Sequence, residues 1–249
     1  MLQCLILAGG LGTRMRPRTE TMAKAMLPVA GRPFVDWQLR WLAAEGATRV
    51  VLSVGHCGNQ IESYVADGAR WRLDVRYAWE RQALLGTAGA IRHAADAGLL
   101  DEEFFVLYGD SYLQVELSAV ERAFRRSGKS ALMTVFRNGN RWDRSNVLYK
   151  DGQVVLYKKS EGPETADMEY IDYGLLVLTR DLIVDAVDPL QRADLSPLLT
   201  KWSELGKLAG FEARDRFFEG GSPEGLEALE TFLKSTAGAT SGSTQVPGR

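Results

Sequence analysis

Histidine and cysteine are nearly missing from this sequence, with two of each among 249 residues. Cys4 and Cys57 lie far apart with no metal-ligand spacing, so neither a disulfide framework nor a cysteine zinc site is expected. Cys4 falls in an apolar stretch and reads as core, and Cys57 reads as an ordinary thiol. His56 and His93 have no partner at nucleophile or metal spacing and read as structural or surface residues. No Ser/His/Asp order points to a hydrolytic triad. An excess of charge is also lacking: thirty Lys and Arg face thirty-two Asp and Glu, a net charge of −2. Nucleic-acid and anionic-membrane binders need clustered positive charge, so neither partner is expected. Any anionic ligand has to be met by local groups. No apolar run approaches the ~20 residues of a membrane helix. The opening Met1-Leu2-Gln3-Cys4-Leu5-Ile6-Leu7 has no positive n-region and reads as a strand rather than a signal peptide. A reduced, cytoplasmic compartment fits these absences.

What is present is a core-forming composition, 45% hydrophobic and 25% charged, which favours a folded chain. Gln3 to Ala8 is a continuous apolar run ending in glycines, as in a strand buried on both faces. Pro33 to Glu45 carries Phe34, Trp37 and Trp41 at helical spacing and stops before Gly46. Arg49 to Val54 is a second buried strand, and the strict alternation of Leu73 to Trp79 predicts a half-exposed one. Gly86 to Ala97 is alanine-rich and helical, and Phe104 to Tyr108 is a strand that ends in Gly109-Asp110. Such alternation means βαβ units and a mainly parallel sheet, where ligands bind outside the carboxyl ends of strands. The second half is richer in strands (131–136, 146–149, 154–157 and 171–178), with helices at 194–204 and 223–234. Ser222 is placed to cap the last of these, with Pro223 at its first position. The spacing predicts one α/β domain over residues 1–235 and a disordered tail over 236–249.

Two features carry chemistry. Leu7-Ala8-Gly9-Gly10-Leu11-Gly12-Thr13-Arg14 follows a buried strand, and glycines there let backbone N–H groups form an anion-binding nest. Arg14 and Lys24 add fixed positive charge beside it. Neither the Walker loop nor the dinucleotide fingerprint is present. The second feature is Asp110, a carboxylate at a strand end of the kind that suits a hard cation.

At these positions the chain resembles the sugar-phosphate nucleotidyltransferases. Their opening signature is LAGGxGTRLxPxT followed by PKxMxPVxGxP, and this chain reads LAGGLGTRMRPRT and then AKAMLPVAGRP. Met15 replaces leucine, a volume-conserving change. Ala23 replaces the proline before Lys24, which removes a restraint from the loop that positions this lysine. Further matches are LGTAGAI at Leu85 to Ile91, with Leu84 in place of a proline, Gly109-Asp110, and Phe217-Phe218-Glu219-Gly220-Gly221-Ser222-Pro223 against (W/F)xDxGTP. Lys158-Lys159 falls at the family's EKP motif without its glutamate or proline. Tyr170-Ile171-Asp172-Tyr173-Gly174 resembles the segment that holds the sugar.

The resemblance implies a Rossmann-like α/β fold with a β-rich, sugar-binding second half in the same domain. It implies transfer of a nucleoside monophosphate from an NTP to a sugar 1-phosphate, with Mg²⁺ as cofactor. Leu7, Ala8, Gly9, Gly10, Gly12, Thr13 and Arg14 would bind the nucleotide, and Gly86 and Thr87, with free N–H groups at a helix start, would read the base. Arg14, Lys24 and Asp110 would be catalytic, and Asp110 and Glu219 would hold the metal. Asn146, Lys159 and Asp172 would hold the sugar phosphate. GTP with D-glycero-D-manno-heptose 1-phosphate or mannose 1-phosphate is the first expectation. Uridylyl or cytidylyl transfer to another phosphorylated acceptor, and a catalytically silent nucleotide-sensing subunit, are the alternatives. A homo-oligomer is left open.

Overall fold

The computed structural model describes residues 1–80, 83–159 and 167–240. The N-terminal apolar run is strand β1 (Gln3–Leu7), followed by the short pair β2 (Pro28–Val29) and β3 (Arg32–Pro33). Helix α1 (Phe34–Ala44) comes next, with Pro33 at its N-cap. Then follow β4 (Arg49–Val54), α2 (Gly58–Val65), β5 (Asp74–Trp79), α3 (Gly86–Asp96) and β6 (Glu103–Tyr108). Strands β4 and β6 flank β1 in parallel, and β5 pairs in parallel with β4. The βαβ alternation read from the sequence therefore builds this half.

The second half contains β7 (Ser111–Tyr112), α4 (Leu117–Ser127), β8 (Ala131–Arg137), β9 (Val147–Lys150), β10 (Gln153–Tyr157) and β11 (Tyr170–Thr179). It closes with α5 (Arg180–Val184), α6 (Leu195–Glu204), β12 (Leu208–Ala213), β13 (Phe218–Glu219) and α7 (Pro223–Thr240). One nine-stranded sheet runs through both halves in the order β5–β4–β1–β6–β11–β8–β12–β10–β9. Strand β11 is antiparallel to both β6 and β8, and β10 is antiparallel to β12 and β9, so the sheet is mixed. Ser222 caps α7 as expected, its Oγ accepting the Gly225 N–H at 3.1 Å. The helix runs on to Thr240, past the point where the tail was expected to begin, and residues 241–249 lie outside the described residues. No described helix is long and apolar enough to cross a membrane.

Both sheet faces are covered, which is why the central strands read as unbroken apolar runs. Cys4 and Ile6 of β1 pack with Val35, Leu39, Ile61, Val120 and Phe124 from α1, α2 and α4. Leu5 packs on the other face with Ile91, Ile183 and Leu199 from α3, α5 and α6. Strand β5 lies at the edge, with Asp74 and Arg76 exposed and with Val75 and Ala78 buried in the two opposite core clusters. Helix α7 makes a third cluster with Phe34, Phe218 and Met15, joining the C-terminal turn to the N-terminal loop.

Helices α3 and α6 cap each other. Asp194 Oδ1 accepts the Thr87 N–H at 3.3 Å, and Thr87 Oγ1 accepts the Leu195 N–H at 2.7 Å. The Ala193 carbonyl accepts the Ala88 and Gly89 N–H groups at 2.9 and 3.1 Å. Four helix-start donors are thereby satisfied by one crossing. Loss of a side-chain cap costs about 1 kcal/mol, so Thr87→Ala and Asp194→Ala should each lower the urea-unfolding free energy by that amount. Unchanged unfolding curves for both variants would rule the crossing out as a stabilising contact.

Candidate functional site

The carboxyl ends of β1, β4, β5 and β6 open on the same side of the sheet, and the glycine loop leaves from the first of them. The ladder continues one step past β1, with the Ala8 N–H donating to the Ser53 carbonyl at 2.8 Å. A Cβ on Gly10 would meet nothing within 4 Å, so this part of the loop is open. Gly12 adopts the left-handed conformation, φ +59°, and opens a run of three short 3₁₀ turns over Thr13–Met15, Arg18–Glu20 and Lys24–Met26. These turns are tied down from several sides. Thr19 Oγ1 donates to the Gly12 carbonyl at 2.7 Å, and His56 Nε2 donates to the Thr19 carbonyl at 2.8 Å. Gln60 Nε2 donates to the Thr21 carbonyl at 2.8 Å, while its Oε1 accepts the Ala23 N–H at 3.0 Å. Proline has no N–H to make that last bond. Ala23 therefore does not simply loosen the loop, because Gln60 supplies a restraint in place of the ring.

Asp110 reaches this loop because Gly109 lets β6 end against β1. A Cβ on Gly109 would run into the Leu7 carbonyl. The buried Gln38 of α1 fixes the turn, its Nε2 donating to the Tyr108 carbonyl at 3.0 Å and the Ser111 carbonyl at 2.9 Å. Lys24 Nζ lies 2.5 Å from Asp110 Oδ2, and Arg14 Nη2 lies 3.9 Å from the same oxygen. Strand β13 pairs with β7 so that Glu219 faces Ser111, and the Gly220 N–H donates to the Asp110 carbonyl at 2.6 Å. Arg14 Nη2 then meets Glu219 Oε1 at 2.5 Å. A Cβ on Gly221 would collide with that carboxylate. Four charged groups expected from the sequence to act together, Arg14, Lys24, Asp110 and Glu219, are thus one alternating cluster of cations and carboxylates. Among the described residues no group of three or more His, Cys, Asp and Glu side chains assembles.

A second polar group forms where β11 passes β6. Asn146 Oδ1 accepts the Asp172 N–H at 3.0 Å, so two of the three expected sugar contacts touch. Asp172 Oδ2 accepts the Tyr108 hydroxyl at 2.7 Å and Oδ1 accepts the Gly174 N–H at 3.0 Å. Burial pushes the Asp172 carboxyl up, while these two donors and the charge of Lys159 pull it down. Lys159 is exposed and ends the described stretch after β10.

Gly86 and Thr87 stand differently from the sequence reading. Three N–H groups at the start of α3 are already taken, that of Thr87 by Asp194 and those of Ala88 and Gly89 by Ala193, which leaves the Gly86 N–H as the one that could meet a ligand. Glu80, which the sequence reading passed over, lies beside the glycine loop instead. Its Oε2 accepts the Leu85 N–H at 2.7 Å, its Oε1 sits 3.4 Å from Ser53 Oγ, and a Cβ on Gly9 would press against it at 2.5 Å. Burial raises the Glu80 carboxyl above its usual range. The signal for it was a polar residue closing a half-exposed strand. Gln38 and Tyr108 were missed in the same way, as polar side chains inside otherwise apolar stretches.

Residues 3–204 match the family model described as nucleotidyl transferase. The chain belongs to that family. Among curated relatives of this nucleotidyl transferase is an N-acetylmuramate α-1-phosphate uridylyltransferase from Neisseria meningitidis, 36% identical over 84% of this chain and 88% of that protein. A D-glycero-α-D-manno-heptose 1-phosphate guanylyltransferase from Campylobacter jejuni is 27% identical over 74% of this chain and 79% of its own length. The chain spans about half the length, 53% and 54%, of two further relatives it matches. The structure of HddC from Yersinia pseudotuberculosis complexed with GMP-PN superposes with a TM-score of 0.75 at 22% identity, covering 94% of this chain and 100% of that one. This likeness extends the agreement to the fold.

The charged cluster and the backbone beneath it should separate in unfolding experiments. The Arg14 side chain is 62% exposed, and exposed ion pairs contribute about 0–1 kcal/mol. Arg14→Ala should therefore leave the urea-unfolding free energy within about 1 kcal/mol of the parent. Gly109→Ala should cost about 1–3 kcal/mol or more, because a methyl group has no room against the Leu7 carbonyl. The reverse order would mean that the cation holds the fold.

Proposed function

We propose that this nucleotidyl transferase moves a nucleoside monophosphate from an NTP to a sugar 1-phosphate and releases pyrophosphate. The observation that carries the reading is the convergence of Arg14, Lys24, Asp110 and Glu219 at the mouth of a glycine loop. A phosphate oxygen of the acceptor attacks the α-phosphorus in line. That nucleophile is already anionic, so no general base is needed. Catalysis comes from alignment and from neutralising charge on the phosphates. One phosphoanhydride replaces another, which makes the reaction reversible. Lys159 meets the acceptor phosphate, and Asn146 and Asp172 meet its hydroxyls.

Asp110 and Glu219 suit Mg²⁺, which takes one or two carboxylates and completes its shell with phosphates and water. When bound, Mg²⁺ supplies charge neutralisation and polarises the phosphoryl oxygens. In the free protein these carboxylates are paired with Lys24 and Arg14. With the metal present, Asp110 and Glu219 would hold it and Lys24 and Arg14 would face the phosphates, so no charge would be left unpaired. Asp110→Asn should lower turnover at least a hundredfold, about 3 kcal/mol of transition-state stabilisation. Glu219→Gln should raise the Mg²⁺ concentration for half-maximal rate, with Glu219→Asp keeping substantial activity. A wild-type Mg²⁺ titration in Glu219→Gln would make Glu219 a bystander.

Glu80 bears on the choice of base. A carboxylate only accepts hydrogen bonds, and guanine presents two adjacent N–H donors on one edge. Uracil presents one N–H between two carbonyls, which a carboxylate repels. Glu80, between the glycine loop and the Leu85-Gly86-Thr87 turn, therefore favours GTP, with mannose 1-phosphate or D-glycero-D-manno-heptose 1-phosphate as acceptor. Uridylyl transfer to an N-acetylamino-sugar phosphate is the second reading, favoured by the 36% identity to the Neisseria enzyme. Pyrophosphate release from each NTP with mannose, heptose and N-acetylmuramate 1-phosphates should be fastest with GTP and a neutral sugar. Faster release from UTP with N-acetylmuramate 1-phosphate would install the second reading, and no release from any pair would overturn both.

A further inference from the structure

Tyr108 closes β6, and its ring packs beside Leu7 over the second core cluster. Its hydroxyl donates to Asp172 Oδ2 at 2.7 Å, the Gly174 N–H donates to Oδ1 at 3.0 Å, and the Asp172 N–H is held by Asn146 at 3.0 Å. The carboxylate is thus fixed at both oxygens and at its backbone, yet part of its surface stays open. Each carboxylate oxygen has two lone-pair sites, so each retains one acceptor position. Lys159 is the cation acting on Asp172, and Asp110 acts on it with like charge. Burial pushes the Tyr157 phenol up, the charge of Asp172 adds to this, and a hydrogen bond with Ser196 of α6 opposes it.

We propose that Tyr108 is a positioning residue for acceptor choice: it aims the Asp172 carboxylate at sugar hydroxyls, so the site selects a neutral polyhydroxylated sugar 1-phosphate over one with its own carboxylate. The proposal rests on the sugar 1-phosphate reading above. Hydroxyls that donate to a fixed carboxylate form charge-assisted bonds with little reorganisation. An acceptor carboxylate in the same place meets like charge in a half-buried setting, where screening is weak. Tyrosine suits the task because its ring is stiff, its hydroxyl has one proton to give, and packing against the second core cluster fixes its reach.

The test compares wild type, Tyr108→Phe and Asp172→Asn with mannose 1-phosphate and with N-acetylmuramate 1-phosphate, using the NTP that supports the fastest turnover. Removing one hydrogen bond to a charged group weakens binding about tenfold. Tyr108→Phe should raise KM for mannose 1-phosphate by about that factor, with kcat and KM for the NTP nearly unchanged and only a small fall in melting temperature from the lost internal bond. Asp172→Asn should narrow the preference for the neutral sugar at least tenfold. A rise in both KM values together with a lower melting temperature would reduce Tyr108 to packing. An unchanged sugar preference in Asp172→Asn would overturn the charge selection. If wild type turns over no acceptor, the reading of the reaction falls. Calorimetric titration of mannose 1-phosphate into wild type and Tyr108→Phe then decides this proposal separately, equal affinities overturning it and a tenfold gap supporting it.

Discussion

The contact between Lys24 and Asp110 joins residues 86 positions apart at 2.5 Å, and the rest of the site is arranged around it. Neither side chain finds the other by local preference. The sheet brings them together, because β1 and β6 are parallel neighbours that must deliver their carboxyl ends to one side. The glycine loop leaves one end and Asp110 leaves the other. Gly109 lets the two ends close to a distance at which a lysine side chain spans the gap. Strand β13 then adds Glu219 by pairing with β7, so the second carboxylate comes from the far end of the chain. Helix α7 holds that strand through Phe218 and the third core cluster.

Polar contacts around this cluster act on the backbone more than on charge. Gln38, His56, Gln60 and Thr19 each spend their hydrogen bonds on carbonyl or amide groups of the site loops. Such bonds keep loop backbone groups satisfied where helix and strand ladders have ended. They also leave the charged groups exchangeable, because Arg14 and Glu219 are held by each other rather than by the scaffold.

Strands were legible wherever burial was simple. β1, β4 and β6 are covered on both faces and read as unbroken apolar runs, whereas the edge strand β5 reads as strict alternation. Helix α4 went unread although Leu117, Val120 and Phe124 mark a buried stripe opposite a charged face, the pattern of an amphipathic helix. β12 is interrupted by Gly210 and gives no local pattern. In the site, the glycine loop, Lys24 and Asp110 were legible because adjacent residues in a fixed order carry them. The occupied N–H groups of α3 were not, since their partners Ala193 and Asp194 lie more than a hundred residues away and no periodicity points to them. Glu80 and Tyr108 were hidden for a related reason: a single polar residue at a strand end does not announce what it faces.

The crossing between Thr87 and Asp194 has a consequence for modularity. The Leu85-Gly86-Thr87 turn looks in sequence like a cassette that could be exchanged between relatives of different base preference. In space it is half of a two-part joint, the other half being Ala193, Asp194 and Leu195. A chimera that swaps residues 84–90 for a segment without a hydroxyl at position 87 would leave the Leu195 N–H without its acceptor, whereas the backbone N–H that Asp194 accepts survives any exchange except to proline. Recombination at this locus therefore has to keep a hydroxyl at position 87 or move the two distant segments together, so the joint sets a condition that the motif alone does not show.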